Sequence, residues 1–309
     1  MNPDHVYLGR DDAPPGLKRL ASGKVRDIYE LDDERLLFVT SDRVSAFDVV
    51  MNEGIPHKGR VLTSISAFWF ENTRDIIQNH LLSTSIDAVP GLDDAWREKL
   101  AGRIMVVKRC EPTAVEWVVR GYVVGSGWKE YQAQGTISGI PQPAGLRQAQ
   151  KLPEPILTPS TKDEHHDKPI SPREAAAIVG PQVFEEAERA ALALFARGSE
   201  RLAALGILLA DTKFEFGLRG GELLLIDEAL TPDSSRFWPE AEYAVGSSPP
   251  SYDKQILRDY LETLDWNKEY PAPDLDPAVL ERVGARYVEI SERITGLAPQ
   301  LGCRGGERR

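Results

Sequence analysis

The spacing of apolar positions divides the chain into stretches of different period. From Leu17 to Val50, Val25, Ile28, Tyr29 and Leu31 lead into the dense run Leu36-Leu37-Phe38-Val39, which predicts short strands joined by turns. Between residues 61 and 80, Leu62, Ile65, Phe68, Trp69 and Ile76 recur mostly at three or four residues, which predicts a helix. A second β-rich stretch opens at Ile104-Met105-Val106-Val107 and continues through Val115 to Val124. The interval from Pro141 to Pro159 holds five prolines and few apolar residues, so it reads as a surface connection and a soft boundary. Order resumes at Ser171-Pro172-Arg173-Glu174, where a serine N-cap, a proline at the first helical position and a glutamate form a capping box. Phe184, Ala187, Ala191, Leu194, Phe195, Leu202 and Leu205 continue a helix after Pro181, with Gly206 as its stop. Further helices are predicted over 252–265 and 277–295, and no internal repeat or low-complexity tract is found.

The stretch Leu208 to Gly217 alternates most clearly. As a strand it sets Asp211, Lys213 and Glu215 on one face and Thr212, Phe214 and Phe216 on the other. A second strand, Glu222 to Asp227, follows Arg219-Gly220-Gly221, read as a three-residue hairpin loop that puts Asp227 opposite Lys213. Glu215 and Asp227 beside an ammonium group suit Mg2+ with nucleotide phosphates; a solvated strand face with a cross-strand ion pair suits them equally.

Composition narrows the partners. The chain has 309 residues, 41% hydrophobic and 28% charged, long enough for one large two-lobed unit or two domains, and no window nears the ~18 apolar residues of a membrane span. The polar opening MNPDHVYLGRDD lacks the order of a secretory leader, so a cytoplasmic location is expected. Lys and Arg number 37 against 48 Asp and Glu, and the net charge of −11 disfavours nucleic acid. Cys110 and Cys303 are assigned no role.

Three more polar sets carry candidate chemistry. Ser22-Gly23-Lys24-Val25-Arg26-Asp27 offers amides and a cation to phosphate, or forms an ordinary hairpin turn. Thr231-Pro232-Asp233-Ser234-Ser235-Arg236-Phe237-Trp238 offers a carboxylate, hydroxyls and a forked guanidinium, or a turn with Arg236 stacked on Trp238. Glu116, Arg120 and Ser126 lie amid apolar neighbours, which suggests anion recognition or a salt bridge between Glu116 and Arg120. His165-His166, beside Asp163, Glu164 and Asp167, reads as a solvated polar loop.

These motifs resemble the phosphoribosylaminoimidazole-succinocarboxamide synthases, the SAICAR synthetases. The matching stretches run from Gly23–Asp27 through Ser41–Asp48, Glu116–Gly121, Asp211–Gly217 and Asp233–Trp238 to Tyr252–Gln255, nearly the whole chain. The resemblance implies an α+β, two-lobed, kinase-like and ATP-grasp-like architecture. Residues 1–110 would be a β-rich N-terminal ATP-binding lobe, and 111–309 an α+β C-terminal lobe with the metal and ribonucleotide sites. It implies an ATP-dependent ligase joining carboxyaminoimidazole ribonucleotide (CAIR) to L-aspartate through an acyl phosphate, with Mg2+. Gly23, Lys24, Val25, Arg26, Lys108, Arg109 and Lys213 would bind ATP, and Glu215 and Asp227 the metal. Arg120, Ser126, Asp233, Ser234, Arg236 and Lys254 would bind the ribonucleotide, with Lys24, Lys213 and Asp211 as catalytic residues. A small-molecule kinase and a non-catalytic purine-nucleotide-binding regulator are the alternatives. For aspartate, Arg43, Asp48 and Lys58 are the candidates, against a scaffold role in which Arg43 pairs with Asp42 or Asp48. Oligomeric state is left open.

Overall fold

Leu36-Leu37-Phe38-Val39 forms the middle of a sheet in the computed structural model, which describes residues 6–9, 13–47, 49–162, 168–252 and 255–299. The strands are β1 (Lys18–Ser22), β2 (Arg26–Glu30), β3 (Arg35–Thr40), β4 (Arg43–Ala46), β5 (Val49–Gly54), β6 (Leu81–Ser83) and β7 (Ile104–Lys108). Five of them make an antiparallel sheet in the order β1-β2-β3-β7-β6, and β4 and β5 form a separate ribbon. Tyr29, Leu37, Val39, Ile104 and Val106 bury one face of the sheet with Leu100 from helix α2 (Asp94–Leu100), whose N-cap Asp93 accepts from the Trp96 amide at 2.8 Å.

Helix α1 (Lys58–Asn72) is shorter than the 61–80 spacing predicts. Its final carbonyls are taken by side chains, the Thr73 hydroxyl donating to Trp69 at 2.7 Å and the Asn79 amide to Phe70 at 2.8 Å, which turns the chain. At its other end the Gly59 amide donates to Asp42 Oδ1 at 2.8 Å. Asp42, fully buried, also accepts from the Tyr7 amide at 2.8 Å and pairs with Arg103 at 3.1 Å.

The second sheet grows around one long strand. Its members are β8 (Glu111–Pro112), β9 (Val115–Tyr122), β12 (Lys151–Leu157), β13 (Ser160–Thr161), β14 (Ile207–Arg219), β15 (Glu222–Ile226) and β16 (Ser235–Pro239). β10 (Thr136–Ile137) and β11 (Ile140–Pro141) make a small hairpin after helix α3 (Gly125–Gln134). The order is β12-β9-β14-β15, with β13 on β9 and both β8 and β16 on β14. Helices α4 (Pro172–Val179) and α5 (Pro181–Ala203) cover this sheet, and the expected Ser171–Glu174 capping box is present. Trp117, with no exposed surface, packs between Phe184 at 5.7 Å and Phe216 at 5.8 Å.

Residues 141–159 are not the open connection expected. Lys151–Leu157 pairs with β9 through an irregularity between Lys151 and Ile156, and Pro153 and Pro155 fall inside it. Proline lacks an amide donor, so a bulged outer strand is where a sheet admits it.

Contacts group the described residues into two compact units. One takes the chain up to Phe68, Leu81–Arg109 and the residues after Lys254; the other takes Trp69–His80 and 110–252. This differs from a single cut after residue 110. Helices α6 (Gln255–Glu262) and α7 (Pro277–Thr295) group with the first unit, where Gly284 lies against Pro56 and the Leu275 amide donates to Glu53 at 3.3 Å. No helix among the described residues is long and apolar enough to cross a membrane.

A Cβ at Gly59 would sit 2.2 Å from the Thr40 carbonyl oxygen, and that oxygen is fixed backbone. Gly59→Ala is expected to cost about 1–3 kcal/mol and lower the melting temperature in a thermal scan.

Candidate functional site

Strand β14 builds the site by alternation. Thr212, Phe214 and Phe216 are buried on one face, leaving Asp211, Lys213 and Glu215 to the other, as the spacing predicts. Asp211 lies opposite Arg120 of β9 and opposite Arg236 of β16. A register irregularity between Leu209 and Asp211 brings the second pair into line; an unbroken ladder would set Asp211 against Ser235.

Both guanidiniums bond one carboxylate oxygen. Arg120 Nη1 donates to Asp211 Oδ2 at 2.6 Å, and Arg236 Nη1 donates to the same oxygen. Arg120 also donates to Thr158 Oγ1 at 3.1 Å and Ser126 Oγ at 2.9 Å. Burial lowers the Arg120 pKa, Asp211 opposes that shift and Arg236 adds to it; guanidinium chemistry keeps the group charged. Arg120 thus pairs with Asp211 rather than with Glu116, whose partner is Lys213.

Helix α3 starts against this pair. A Cβ at Gly125, whose φ is +59°, would lie 2.8 Å from Arg236 Nη2, and one at Gly127 would lie 3.3 Å from Arg120 Nε. Two glycines therefore let the helix N-terminus close on two cations, and exposed Ser126 stands between them. Guanidinium forks and free helix amides are an anion-binding combination.

Two steps along the same face, Lys213 Nζ donates to Glu116 at 2.6 Å and to Glu215 Oε1 at 3.0 Å. Burial works against its charge, but Glu215, Glu116 and Asp227 outweigh that and hold its pKa above the ordinary lysine value. Lys162 donates to the other oxygen of Glu215 at 2.6 Å.

Asp227 arrives by another route than the one expected. The hairpin loop has two residues, Gly220 and Gly221, at φ +61° and +87°, so Arg219 pairs with Glu222 and Glu215 with Ile226. The ladder is one residue out from the predicted register, and Asp227 lies past its end with φ +66°. That left-handed turn takes Asp227 off the strand, and its charge still acts on Lys213. The next loop is tied back to β14 by the Lys213 amide donating to the Ser234 carbonyl at 2.8 Å; the amides of Asp233 and Ser234 each donate to Thr231 Oγ1 at 3.3 Å.

The residues expected to hold ATP in the other unit form a braced turn. Gly23 donates its amide to the Arg26 carbonyl at 2.8 Å, Lys24 is exposed, the Val25 carbonyl accepts from Ser41, and Arg26 lies over the Phe38 ring at 5.6 Å. Val106 and Val107 are paired on both sides within the sheet, and the Arg109 amide donates to Glu34 at 2.8 Å; Lys108, half-buried, ends β7.

Arg43 makes the bonds of the scaffold alternative. Its Nη1 donates to Asp27 Oδ2 at 3.0 Å and to the Leu8 carbonyl. Nη2 donates to Asp27 Oδ1 and the Gly23 carbonyl, each at 3.0 Å, and Nε to the Lys24 carbonyl at 3.4 Å. All five guanidinium donors are used, and the partner is Asp27, not Asp42 or Asp48. Lys58 is wholly buried in the first turn of α1. Asp48, Lys254, His165, His166 and Cys303 lie outside the described residues.

Thr158 escapes the sequence reading because it comes from the stretch that reads as a loose connection. The short run Ile156-Leu157 ahead of Ser160-Thr161 was the available signal that this stretch pairs with β9.

A sequence profile of the SAICAR synthetases matches residues 19–273. The chain belongs to the SAICAR synthetase family. The phosphoribosylaminoimidazole-succinocarboxamide synthase of Syntrophotalea carbinolica is 56% identical over 287 residues, 92% of this chain and 97% of that one. A SAICAR synthase structure from Saccharomyces cerevisiae, complexed with SAICAR, aligns at a TM-score of 0.84 and 41% identity, covering 91% of this chain and 96% of that chain. A type-2 SAICAR synthetase in complex with ADP aligns at 0.65 and 26% identity, covering 90% and 98%. The α+β, kinase-like and ATP-grasp-like fold class is the one expected.

Asp211→Asn leaves two guanidiniums without their shared counter-ion. It is expected to cost about 3–5 kcal/mol, and excess inorganic phosphate should raise its melting temperature more than that of the wild type. Arg43→Met leaves Asp27 buried and unpaired, with a similar expected loss of about 3–5 kcal/mol in denaturant melts. An unchanged midpoint for that variant would return Arg43 to the list of ligand-binding residues.

Proposed function

We infer that this protein is an ATP-dependent carbon–nitrogen ligase of purine biosynthesis that condenses CAIR with L-aspartate to give SAICAR, ADP and phosphate. The observation that carries the reading is that one face of β14 bears two different poles. At Asp211 two arginines and a helix N-terminus meet; about 7 Å and about 14 Å further along the strand stand Lys213 and Glu215, with Asp227 acting on the former. The first pole suits the phosphate and hydroxyls of a ribonucleotide, and the second suits a nucleotide triphosphate. The kinase and regulator alternatives have no observation in their favour.

The chemistry explains why both are needed. The CAIR carboxylate is resonance-stabilised and resists an amine. One of its oxygens bonds to the γ-phosphorus while the bond to the β,γ-bridging oxygen breaks and its electron pair leaves with ADP. The amine nitrogen of aspartate then bonds to the acyl carbon, phosphate departs with the carbon–oxygen electron pair, and the amine proton passes to water. Positioning and charge neutralisation supply most of the acceleration in the first step.

Within this reading Arg120, Arg236, Ser126, Asp233 and Ser234 orient the ribonucleotide. Asp211 acts through the two arginines, so it is a positioning residue. Lys213 holds nucleotide phosphate in its own unit, and the Gly23-Lys24 turn, with Val25 and Arg26, is a phosphate-binding turn of the other. The donor set fits Mg2+, which characteristically uses one or two carboxylates plus water and phosphate oxygens, because the Glu215 and Asp227 carboxylates both act on Lys213. Glu215 and Asp227 would hold it. When bound it would neutralise charge on the phosphates.

ADP release at steady state is expected only with CAIR and aspartate both present. ADP formed continuously without aspartate would identify a kinase instead. Glu215→Gln should lower turnover on the order of 10²-fold, with excess Mg2+ restoring only part of it, and near-normal turnover in that variant would remove Glu215 from the metal site.

A further inference from the structure

Two ammonium groups divide the Glu215 carboxylate, Lys213 at Oε1 and Lys162 at Oε2. They are not equivalent. Lys213 rises from the middle of β14 and is held a second time by Glu116 at 2.6 Å. Lys162 follows β13, whose Ser160 and Thr161 pair with Glu116 and Val115, and its own amide donates to the Ala114 carbonyl at 3.4 Å. Its main chain is thus anchored while its ammonium, with the side chain 30% exposed, has Glu215 as its partner among the described residues. An ammonium has three donors on a four-carbon stem, so two remain available for a ligand.

We propose that Lys162 is a phosphoryl-binding residue: its ammonium rests on Glu215 in the nucleotide-free protein and passes to an oxygen of the transferred phosphoryl group when a divalent cation takes Glu215. This rests on the reading of Glu215 as a metal ligand. Glu116, Glu215 and Asp227 against Lys162 and Lys213 leave one net negative charge, and a divalent cation turns that into one net positive charge. The cation also repels an ammonium bonded to the same carboxylate, so the two compete for it. The displaced ammonium finds its partner in the charge spread over the equatorial oxygens as the bond to the bridging oxygen breaks. Lys162 keeps its proton throughout.

Mn2+ binding without nucleotide, followed by electron paramagnetic resonance, separates the two claims when combined with steady-state kinetics. Glu215→Gln should lose Mn2+ binding. Lys162→Met should bind Mn2+ about fivefold more tightly than wild type, because its competitor is gone. Its kcat should fall on the order of 10²-fold with the Michaelis constant for aspartate unchanged, and Lys162→Arg should recover most of kcat. Lys162→Gln replaces the methionine variant if that one does not fold. Wild-type Mn2+ affinity in Lys162→Met, or a kcat within about threefold of normal, overturns the proposal while leaving the metal site intact. Equal Mn2+ binding by wild type and Glu215→Gln overturns the metal reading and this proposal with it.

Discussion

Asp211 is a buried carboxylate between two arginines that would repel each other without it. Because the three residues stand on three adjacent strands, their meeting depends on register, and a shift of one position on either side would turn a cation onto the opposite face. The irregularity before Asp211 is therefore part of the site. Glu130 also acts on Arg120 electrostatically, so what the two forks offer an incoming anion is directed hydrogen-bond donors rather than a bare excess of charge.

The apolar side of the same strand makes that arrangement rigid. Phe214 and Phe216 are fully buried, and Trp117 packs edge-on to Phe216. From Asp211 to Phe216 the residues alternate between the charged face and the buried one, so the strand cannot slide by one position without exposing an aromatic ring. Preorganised charge of this kind needs no rearrangement when a substrate's own charge develops, which is the usual source of catalytic electrostatics.

Much of this was legible in the chain. The alternation of Asp211, Lys213 and Glu215 with Phe214 and Phe216, the Ser171 capping box and helix α7 follow directly from local spacing and cap chemistry. What escaped depended on partners distant in sequence. Arg43 and Asp27 lie 16 residues apart, and nothing in either neighbourhood specifies that one guanidinium will satisfy the backbone of Leu8, Gly23 and Lys24 together. The β12 strand was obscured by its prolines, whose cost is small on a bulged outer strand but large elsewhere. The hairpin register turned on whether two or three residues make the loop, a difference that a glycine pair does not decide until the strands pair.

The start of helix α3 also bounds how far the enzyme could be redesigned. A side chain at Gly125 would be strained at φ +59° and crowd Arg236, and one at Gly127 would press on Arg120 and Ile137, whereas Ser126, exposed between them, contributes a hydroxyl that accepts from Arg120. A library at this helix edge therefore has one position at which chemistry can vary while the charge cluster stays in place. Threonine, asparagine or a small acid there would alter the hydrogen bond made to Arg120, and the flanking glycines would keep the helix start close to both guanidiniums.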